Sequence, residues 1–266
     1  MRAARWVAQL GVLVVHNDPV VEAELWAMAP PGVTVHAARF ESPTSTGAEY
    51  TSESWEQMIR KPDVRRGLAQ LGQMDLSAIC LCFGSASFFG GLEFDEGFAK
   101  AAVELTGGTH VYTAGEAIRA GLTAMGVRRP LVLMPPWFTA PTFAATESYL
   151  TAGGFDIAGM VPYRLPDRWQ GVEKHRLFDR GGRWDVDPDE VCRQVAAGFA
   201  AAEGAAADGV LLPGSGFRSW EAVDRLEHEL GVPVVTSNQA CLWRLLDLTG
   251  VHATVSGGGG LLAARR

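Results

Sequence analysis

The sequence is poor in the residue types on which most metal and nucleophilic sites depend. Its 266 residues include four cysteines and six histidines, and no two cysteines have the spacing of a zinc site. No apolar stretch approaches the ~20 residues that span a bilayer. The formal net charge is −7 and no dense basic stripe is present, which argues against nucleic acid or an anionic membrane as the main partner. The apolar segment 7–15 is too short for a signal peptide, so a cytoplasmic protein is expected.

The few cysteines are expected to be buried thiols that pack as small apolar side chains. They are Cys80, Cys82, Cys192 and Cys241. A disulfide framework is not expected in a chain of this size and compartment. Because side chains alternate along a strand, Cys80 and Cys82 are predicted to share one face.

Two loops rich in glycine and serine follow buried strands at matching places in the chain. The strand 78–83 precedes Gly84, Ser85 and Ser87, and the strand 209–212 precedes Gly214 and Ser215. Each loop is followed by a helical pattern. Open α/β folds bind ligands at the carboxyl ends of their strands, so the two loops predict a pocket rich in hydrogen-bond donors, suited to an anion. The plainer interpretation of these serines is ordinary turn and cap chemistry.

Strand and helix patterns alternate along the chain, which predicts an α/β protein with mainly parallel sheets flanked by helices. The spacing of the loops predicts two pseudo-symmetric halves, residues 1–113 and 114–236, with residues 237–266 packed on the first half and the active site at the seam. Residues 163–187 lack periodicity and predict a surface excursion, a lid or a dimer contact. The predicted strands are 10–15, 33–39, 78–83, 110–112, 130–134, 156–161, 209–212 and 233–236. The predicted helices are 52–71, 94–105, 114–125, 140–152, 188–202, 220–230 and 239–248.

Three segments carry a resemblance to a known superfamily. Residues 11–22 resemble the opening of maleate isomerases, in which a strand ends in an Asn-x-x-x-Glu turn whose asparagine holds a substrate carboxylate; here Asn17 is assigned to it. Residues 231–243, with Asn238, resemble the closing strand and Ser-Asn-Gln-Ala turn of the same family. Residues 85–91 resemble its first catalytic loop and that of arylmalonate decarboxylase. The chain is therefore identified as similar to the Asp/Glu racemase superfamily, in its maleate isomerase and arylmalonate decarboxylase branch.

The chain departs from this family at the positions that carry its chemistry. The resemblance implies one or two loop-tip cysteines, but Phe83 stands at the first position and Gly214 at the second. Cys82 lies one residue early, which on a regular strand turns a side chain to the opposite face unless a bulge near Gly84 redirects it. A family tyrosine is also replaced, by Trp137. Both family cysteine positions are thus substituted.

The residues at the predicted seam suggest which groups remain for catalysis. Cys82 and His16 are the candidate catalytic residues; the pKa range of imidazole suits acid–base work, although a surface or capping histidine is the alternative. Asp18 either orients His16 or caps the next helix. The candidate substrate-binding residues are Asn17, Gly84, Ser85, Ser87, Trp137, Gly214, Ser215 and Asn238. Aromatic residues near the loops suggest a bulky acid, or simply an interdomain core.

Three functions remain open from the sequence. The leading hypothesis is a decarboxylase (lyase) or isomerase that acts α to a carboxylate of an organic acid through an enediolate-like intermediate. The resemblance implies that this reaction needs no cofactor and no metal, and it suggests a homodimer. The second is a maleate-type cis–trans isomerase that uses Cys82, and the third is a non-catalytic carboxylate-binding relative.

Overall fold

The fold consists of two parallel four-stranded sheets with helices on their faces. The computed structural model describes residues 6–42, 44, 47–201 and 206–263. The first sheet has the order β2-β1-β3-β4 and the second the order β6-β5-β7-β8, with every strand pair parallel. The strands are β1 (Ala8–Val15), β2 (Val33–Phe40), β3 (Ala78–Cys82), β4 (Val111–Thr113), β5 (Pro130–Met134), β6 (Gly159–Pro162), β7 (Gly209–Leu212) and β8 (Val234–Thr236). Because both sheets have the same strand order, the predicted pseudo-symmetric α/β architecture is confirmed.

The helices connect successive strands and cover both sheets. They are α1 (Val20–Met28), α2 (Trp55–Arg60), α3 (Pro62–Gly72), α4 (Gly84–Leu105), α5 (Ala114–Ala124), α6 (Ala140–Ala152), α7 (Lys174–Leu177), α8 (Pro188–Ala200), α9 (Val223–Leu230) and α10 (Ser237–Thr249). Within the described residues, no helix combines the length and apolar character that a membrane crossing requires.

Two predicted helices differ from the structure for local reasons. The single helix predicted over 52–71 is two helices, because Lys61 precedes Pro62 and is extended (φ −58°, ψ 131°), a conformation that a following proline favours. Its cap is Ser54, which forms a capping box with Gln57. The helix predicted to begin at 94 begins at Gly84 and contains a kink at Gly91, which has a φ of +70°.

One apolar core joins the two halves. It combines side chains of β1 and β3 with side chains of β5, α5, α6 and α10, and α10 packs against α1, α5 and the first sheet. A buried polar contact spans the same junction, since Asp95 of α4 accepts hydrogen bonds from Thr113 and from Tyr149 of α6. The carboxyl ends of both sheets therefore face each other, while the exact bounds of two domains stay a prediction.

Candidate active site

A cavity of about 760 Å³, counted with its open mouth, lies between the carboxyl ends of the two sheets. Its walls come from the segments that follow β1, β3, β5 and β7, and from two outer groups of residues: Ser42, Thr44, Glu49 and Tyr50 before α2, and His175, Phe178 and Asp179 in and after α7. This is the place where parallel α/β folds bind ligands.

Six of the residues predicted from the sequence line this cavity. They are Cys82, Gly84, Ser85, Trp137, Gly214 and Ser215. The two glycine–serine loops thus meet at one site, as their matching positions predicted.

Four other predicted residues lie outside the cavity wall. His16 faces a separate surface depression together with Arg39, because it follows Val15, which lines the cavity, and successive side chains at a strand end point to opposite sides. Asn17 donates from Nδ2 to Asp179 Oδ1 at 2.5 Å. Ser87 is buried against the helix that carries Gly115. Asn238 is buried behind the second loop.

Cys82 lies at the floor of the cavity with 1% of its surface exposed. It shares its sheet face with Cys80, as predicted, and both thiols lie against Cys241 of α10. The three sulfur atoms lie within 4.8 Å of one another, and Cys80 Sγ is 3.5 Å from Cys241 Sγ. This spacing suits a thiophilic metal ion, which the sequence spacing did not reveal because Cys241 belongs to a distant helix. The contact with Cys241, together with burial, raises the pKa of the Cys82 thiol well above its ordinary value, so Cys82 is a weak nucleophile.

The two loops present backbone groups rather than nucleophiles to the cavity. Gly84 begins α4, and no side chain caps this helix. The Ala86 amide donates to the Phe83 carbonyl, so the groups that an anion can meet are the amides of Gly84 and Ser85 and the positive end of the helix dipole. Gly214 has a φ of +99°, and a Cβ there would lie 2.7 Å from Pro135 Cγ. A cysteine at this position is therefore sterically opposed. The second loop therefore has a conformation that requires glycine at this position.

Asp18 is an ionisable residue of the cavity for which the sequence suggested only that it orients His16 or caps the next helix. Its Oδ1 accepts the Val20 amide at 2.8 Å and so caps α1, while its side chain also lines the cavity. A Cβ added to Gly216 would lie 3.0 Å from Asp18 Oδ2, so the carboxyl approaches the second loop closely. Burial raises the pKa of Asp18 to about 6. In the Asn-x-x-x-Glu pattern the first residue lies four positions before the glutamate. Four positions before Glu22 is Asp18, not Asn17, so the sequence already contained a sign that Asp18 occupies this position.

A second buried carboxyl, that of Glu24 in α1, holds the second loop in place. Glu24 Oε1 accepts the amides of Ser219 and Trp220 at 2.8 and 3.0 Å, and Oε2 accepts Asn238 Nδ2 at 2.7 Å. The same Asn238 amide donates to the Ser215 carbonyl at 2.8 Å. Burial raises the pKa of Glu24 to about 7, against the lowering effect of these three donors. Asn238 therefore positions Ser215 from behind the cavity.

The outer wall comes from segments without periodicity, which sequence reasoning did not assign to the site. Tyr50 packs edge-to-face on Phe83 with ring centroids 4.9 Å apart, and Trp137 packs in the same way on Phe178, also at 4.9 Å. Glu49 accepts a hydrogen bond from the Thr139 hydroxyl. The excursion predicted as a lid or dimer contact thus supplies Phe178 to the cavity wall.

Comparison with known proteins assigns this architecture to a family. The family model described as arylmalonate decarboxylase matches residues 28–262. The arylmalonate decarboxylase of Bordetella bronchiseptica is 29% identical over 201 residues, which cover 73% of each chain.

Solved structures of the same branch have the same fold. A variant of arylmalonate decarboxylase in a sulfate-associated form superimposes with a TM-score of 0.76 at 24% identity, over 96% of this chain and 99% of the other. The maleate isomerase Iso from Pseudomonas putida S16, in a variant with maleate, gives a TM-score of 0.76 at 18% identity, over 97% and 98%. The chain therefore belongs to the arylmalonate decarboxylase family, in the branch of the Asp/Glu racemase superfamily that also contains maleate isomerases.

Proposed function

We propose that this protein is a cofactor-independent decarboxylase of a malonate-type organic acid, in which Asp18 delivers the proton that a loop cysteine delivers elsewhere. The observation that carries the proposal is the position of Asp18. It is a buried carboxyl with a pKa of about 6 that lines the cavity between the two glycine–serine loops. Family membership supports the reaction class, and the geometry supports the choice of acid.

The proposed reaction needs one anion site and one acid. The departing carboxylate loses its charge as CO2, which poor solvation in the buried part of the cavity favours. The electron pair of the broken C–C bond stays on the α-carbon and delocalises into the remaining carboxylate, which gives an enediolate. The amides that begin α4 and the hydroxyls of Ser85 and Ser215 are the groups positioned to stabilise that charge.

Asp18 then protonates the α-carbon and becomes a carboxylate, which solvent reprotonates. An acid with a pKa of about 6 lies close to neutral pH, where general acid catalysis is most effective. Its other oxygen stays bound to the α1 amides, so the capping hydrogen bonds fix the direction of the proton donor. Neither His16 nor Cys82 is needed for this step.

A direct assay of the reaction tests the proposal. We expect the purified protein to release CO2 from 2-methyl-2-phenylmalonate and to form one equivalent of 2-phenylpropionate. In D2O the product is expected to carry one deuterium at the α-carbon, since the proton comes from an exchangeable acid. If arylmalonates and alkylmalonates all remain intact while the protein is folded, the proposal is wrong.

A second candidate is a cis–trans isomerase that uses Cys82, which the position of Cys82 at the cavity floor favours. In this case the thiol adds to the double bond of maleate, and fumarate is formed. The raised pKa of Cys82 opposes it, so we expect no fumarate. Tight binding of carboxylic acids with no turnover would instead support the non-catalytic relative.

Two further expectations are part of the proposal. The resemblance suggests a homodimer, which light scattering of the purified protein tests. The short apolar segment 7–15 suggests a cytoplasmic protein, which cell fractionation tests.

A further inference from the structure

The charges around the cavity are unusual for a site that receives an acid. The described residues that line it include the carboxylates of Asp18, Glu49 and Asp179 and the imidazole of His175, and none of them is a lysine or an arginine. A dianionic malonate with an uncharged side chain gains no ion pair at such a wall. The charge pattern instead favours a substrate that also carries a positive charge.

Two of the three carboxylates are free to serve that role. Asp18 is buried and faces the second loop, where the proposed function requires it to be protonated. Glu49 and Asp179 are only half-buried and belong to the irregular outer segments. Each accepts one described side-chain hydrogen bond, from Thr139 and from Asn17 respectively. A carboxylate has two oxygens and roughly four acceptor sites, so both retain capacity for a ligand.

Aromatic rings stand beside these outer carboxylates on the same wall. Tyr50 and Phe83 form one edge-to-face pair. Trp137 packs in the same way on Phe178, whose ring face already holds the Arg183 guanidinium at 5.0 Å from its centroid, so the rings open to a ligand are those of Tyr50, Phe83 and Trp137. Ring faces attract ammonium groups, and aromatic residues combined with carboxylates are the usual receptor for amines and quaternary ammonium ions. A neutral aryl group would also pack against the rings, but it would leave Glu49 and Asp179 unpaired near its edge.

We infer that the substrate is an amine-bearing acid, with a protonated or quaternary ammonium group on the side chain of its α-carbon. This inference rests on the proposed function and names its substrate class. The carboxylate end lies at the uncharged donors of the two loops. The ammonium end lies between Glu49, Asp179 and the aromatic rings.

Binding of three matched phenylacetates tests the inference without any turnover. The probes are 4-(aminomethyl)phenylacetate, 4-methylphenylacetate and 4-carboxyphenylacetate, which differ in the charge at one end, and their Kd values are measured by calorimetry. We expect the ammonium compound to bind about tenfold more tightly than the methyl compound and the dianion to bind most weakly. Equal or tighter binding of the methyl compound overturns the inference, as does the absence of binding by all three.

Charge-neutralising variants show which carboxylates produce the preference for the ammonium compound. Asp179→Asn keeps the oxygen that accepts from Asn17, and we expect it to remove most of the preference for the ammonium compound while the Kd of the methyl compound stays unchanged. Glu49→Gln is expected to act in the same direction. The matched control is Asp167→Asn, which removes the same charge from the same excursion, where Asp167 accepts from Gln170 away from the cavity. A control that loses the preference equally shows a general charge effect and contradicts the inference.

The proposed reaction and the proposed substrate class can be contradicted separately. Ammonium-selective binding without decarboxylation of any malonate means that the proposed function is wrong while the ligand class is correct. Decarboxylation of 2-methyl-2-phenylmalonate without ammonium selectivity means that the ligand class is wrong while the function is correct.

Discussion

At the residue scale, the proposed chemistry depends on one buried carboxyl. Gly214 in the second loop has a φ of +99°, and a Cβ there would lie 2.7 Å from Pro135 Cγ, so the loop opposes a cysteine at this position. Asp18 approaches the same loop from the other half of the molecule. We propose that this carboxylic acid takes the proton-donor role that the resemblance assigns to a loop thiol.

The raised pKa of Asp18 gives a prediction for the pH dependence of activity. Only the protonated acid donates, so kcat/KM is expected to be constant well below the pKa of about 6 and to fall above it. The limiting slope is about tenfold per pH unit. Steady-state rates measured across the stable pH range test this. A rate that rises through neutrality would indicate a deprotonated base instead and contradict the assignment.

Cys82 gives the complementary prediction. Cys82→Ser is expected to retain decarboxylation within a few-fold of wild type, because a thiol with a strongly raised pKa is neither donor nor nucleophile here. Cys192→Ser is the matched control, since Cys192 is also buried but lies in the core of the second half. Loss of activity in Cys82→Ser with a folded protein and an active Cys192→Ser would favour the isomerase mechanism.

The sequence indicated residues of the cavity wall where buried strands end in loops. Gly84, Ser85, Gly214 and Ser215 follow fully buried strands, and the fold places the carboxyl ends of such strands together. The sequence did not show which of His16 and Asp18 faces the cavity. At the end of β1 a single step along the chain decides whether a side chain faces the cavity or the outer surface, and composition does not fix that register.

At the scale of elements, α1 and α10 together fix the second loop. Glu24 binds the loop amides that follow Phe217, and Asn238 links Glu24 to the Ser215 carbonyl. Three N–H donors meet one buried carboxylate, while Asn238 Oδ1 has no hydrogen-bond partner among the described residues. In a buried place the loss of any of these donors is costly.

Glu24→Gln tests whether this network positions the loop for catalysis. Glutamine offers one acceptor oxygen and one amide, and that amide meets the Asn238 amide donor, so the link to Ser215 is broken. We expect kcat to fall about tenfold with a smaller change in KM. Glu229→Gln, which loses an exposed ion pair with Arg225, is expected to be neutral.

A double-mutant cycle separates positioning from simple destabilisation. Asn238→Ala alone is expected to lower kcat similarly, and the Glu24→Gln/Asn238→Ala pair to be much less severe than the product of the two effects. Independent, multiplicative effects would contradict the network. Thermal unfolding of each variant shows whether the protein is folded under the assay conditions.

Strands and amphipathic helices were predictable because burial imposes a period on them. β5 and α6 have the predicted bounds, whereas α4 begins ten residues earlier than predicted, at Gly84 rather than at 94. Its first turns carry a Gly-Ser-Ala-Ser sequence that resembles a loop. The irregular segments that supply Glu49 and Asp179 carry no periodic signal, so neither residue was predictable as part of the cavity.

At the scale of the whole molecule, the two halves share an apolar core, and two buried carboxyl groups lie where they meet. The alternation of strands and helices predicted two similar sheets, and the equal strand orders confirm this. The sequence did not show that α1 of one half would place two carboxyls, Asp18 and Glu24, against the second loop of the other. Long-range contacts of this kind depend on how the halves dock.

These two carboxyls predict how stability depends on pH. Burial raises both pKa values, to about 6 and about 7, from ordinary values of 3.8 and 4.5. The folded state therefore binds these protons more tightly than the unfolded chain, so their stabilising contribution is complete below the ordinary values and is lost as the pH rises through about 6 and 7. From about pH 5 to about pH 8, each group is expected to cost on the order of 1–3 kcal/mol of unfolding free energy.

Urea unfolding across this pH range tests the prediction. In Asp18→Asn/Glu24→Gln the decline with pH is expected to be much shallower, because neither side chain then titrates. The control is Glu229→Gln, whose exposed carboxylate is expected to leave the slope unchanged. An equal decline in the double variant and the wild type would show that other groups are responsible.

The most direct test of the central claim is the decarboxylation rate of Asp18→Asn. Asparagine keeps the Oδ1 acceptor that caps α1 but has no acidic proton at the cavity. The account predicts that kcat for 2-methyl-2-phenylmalonate falls at least about 100-fold, while the Kd of 2-phenylpropionate changes little. Wild-type turnover by Asp18→Asn would contradict the account, because the proton would then come from another group.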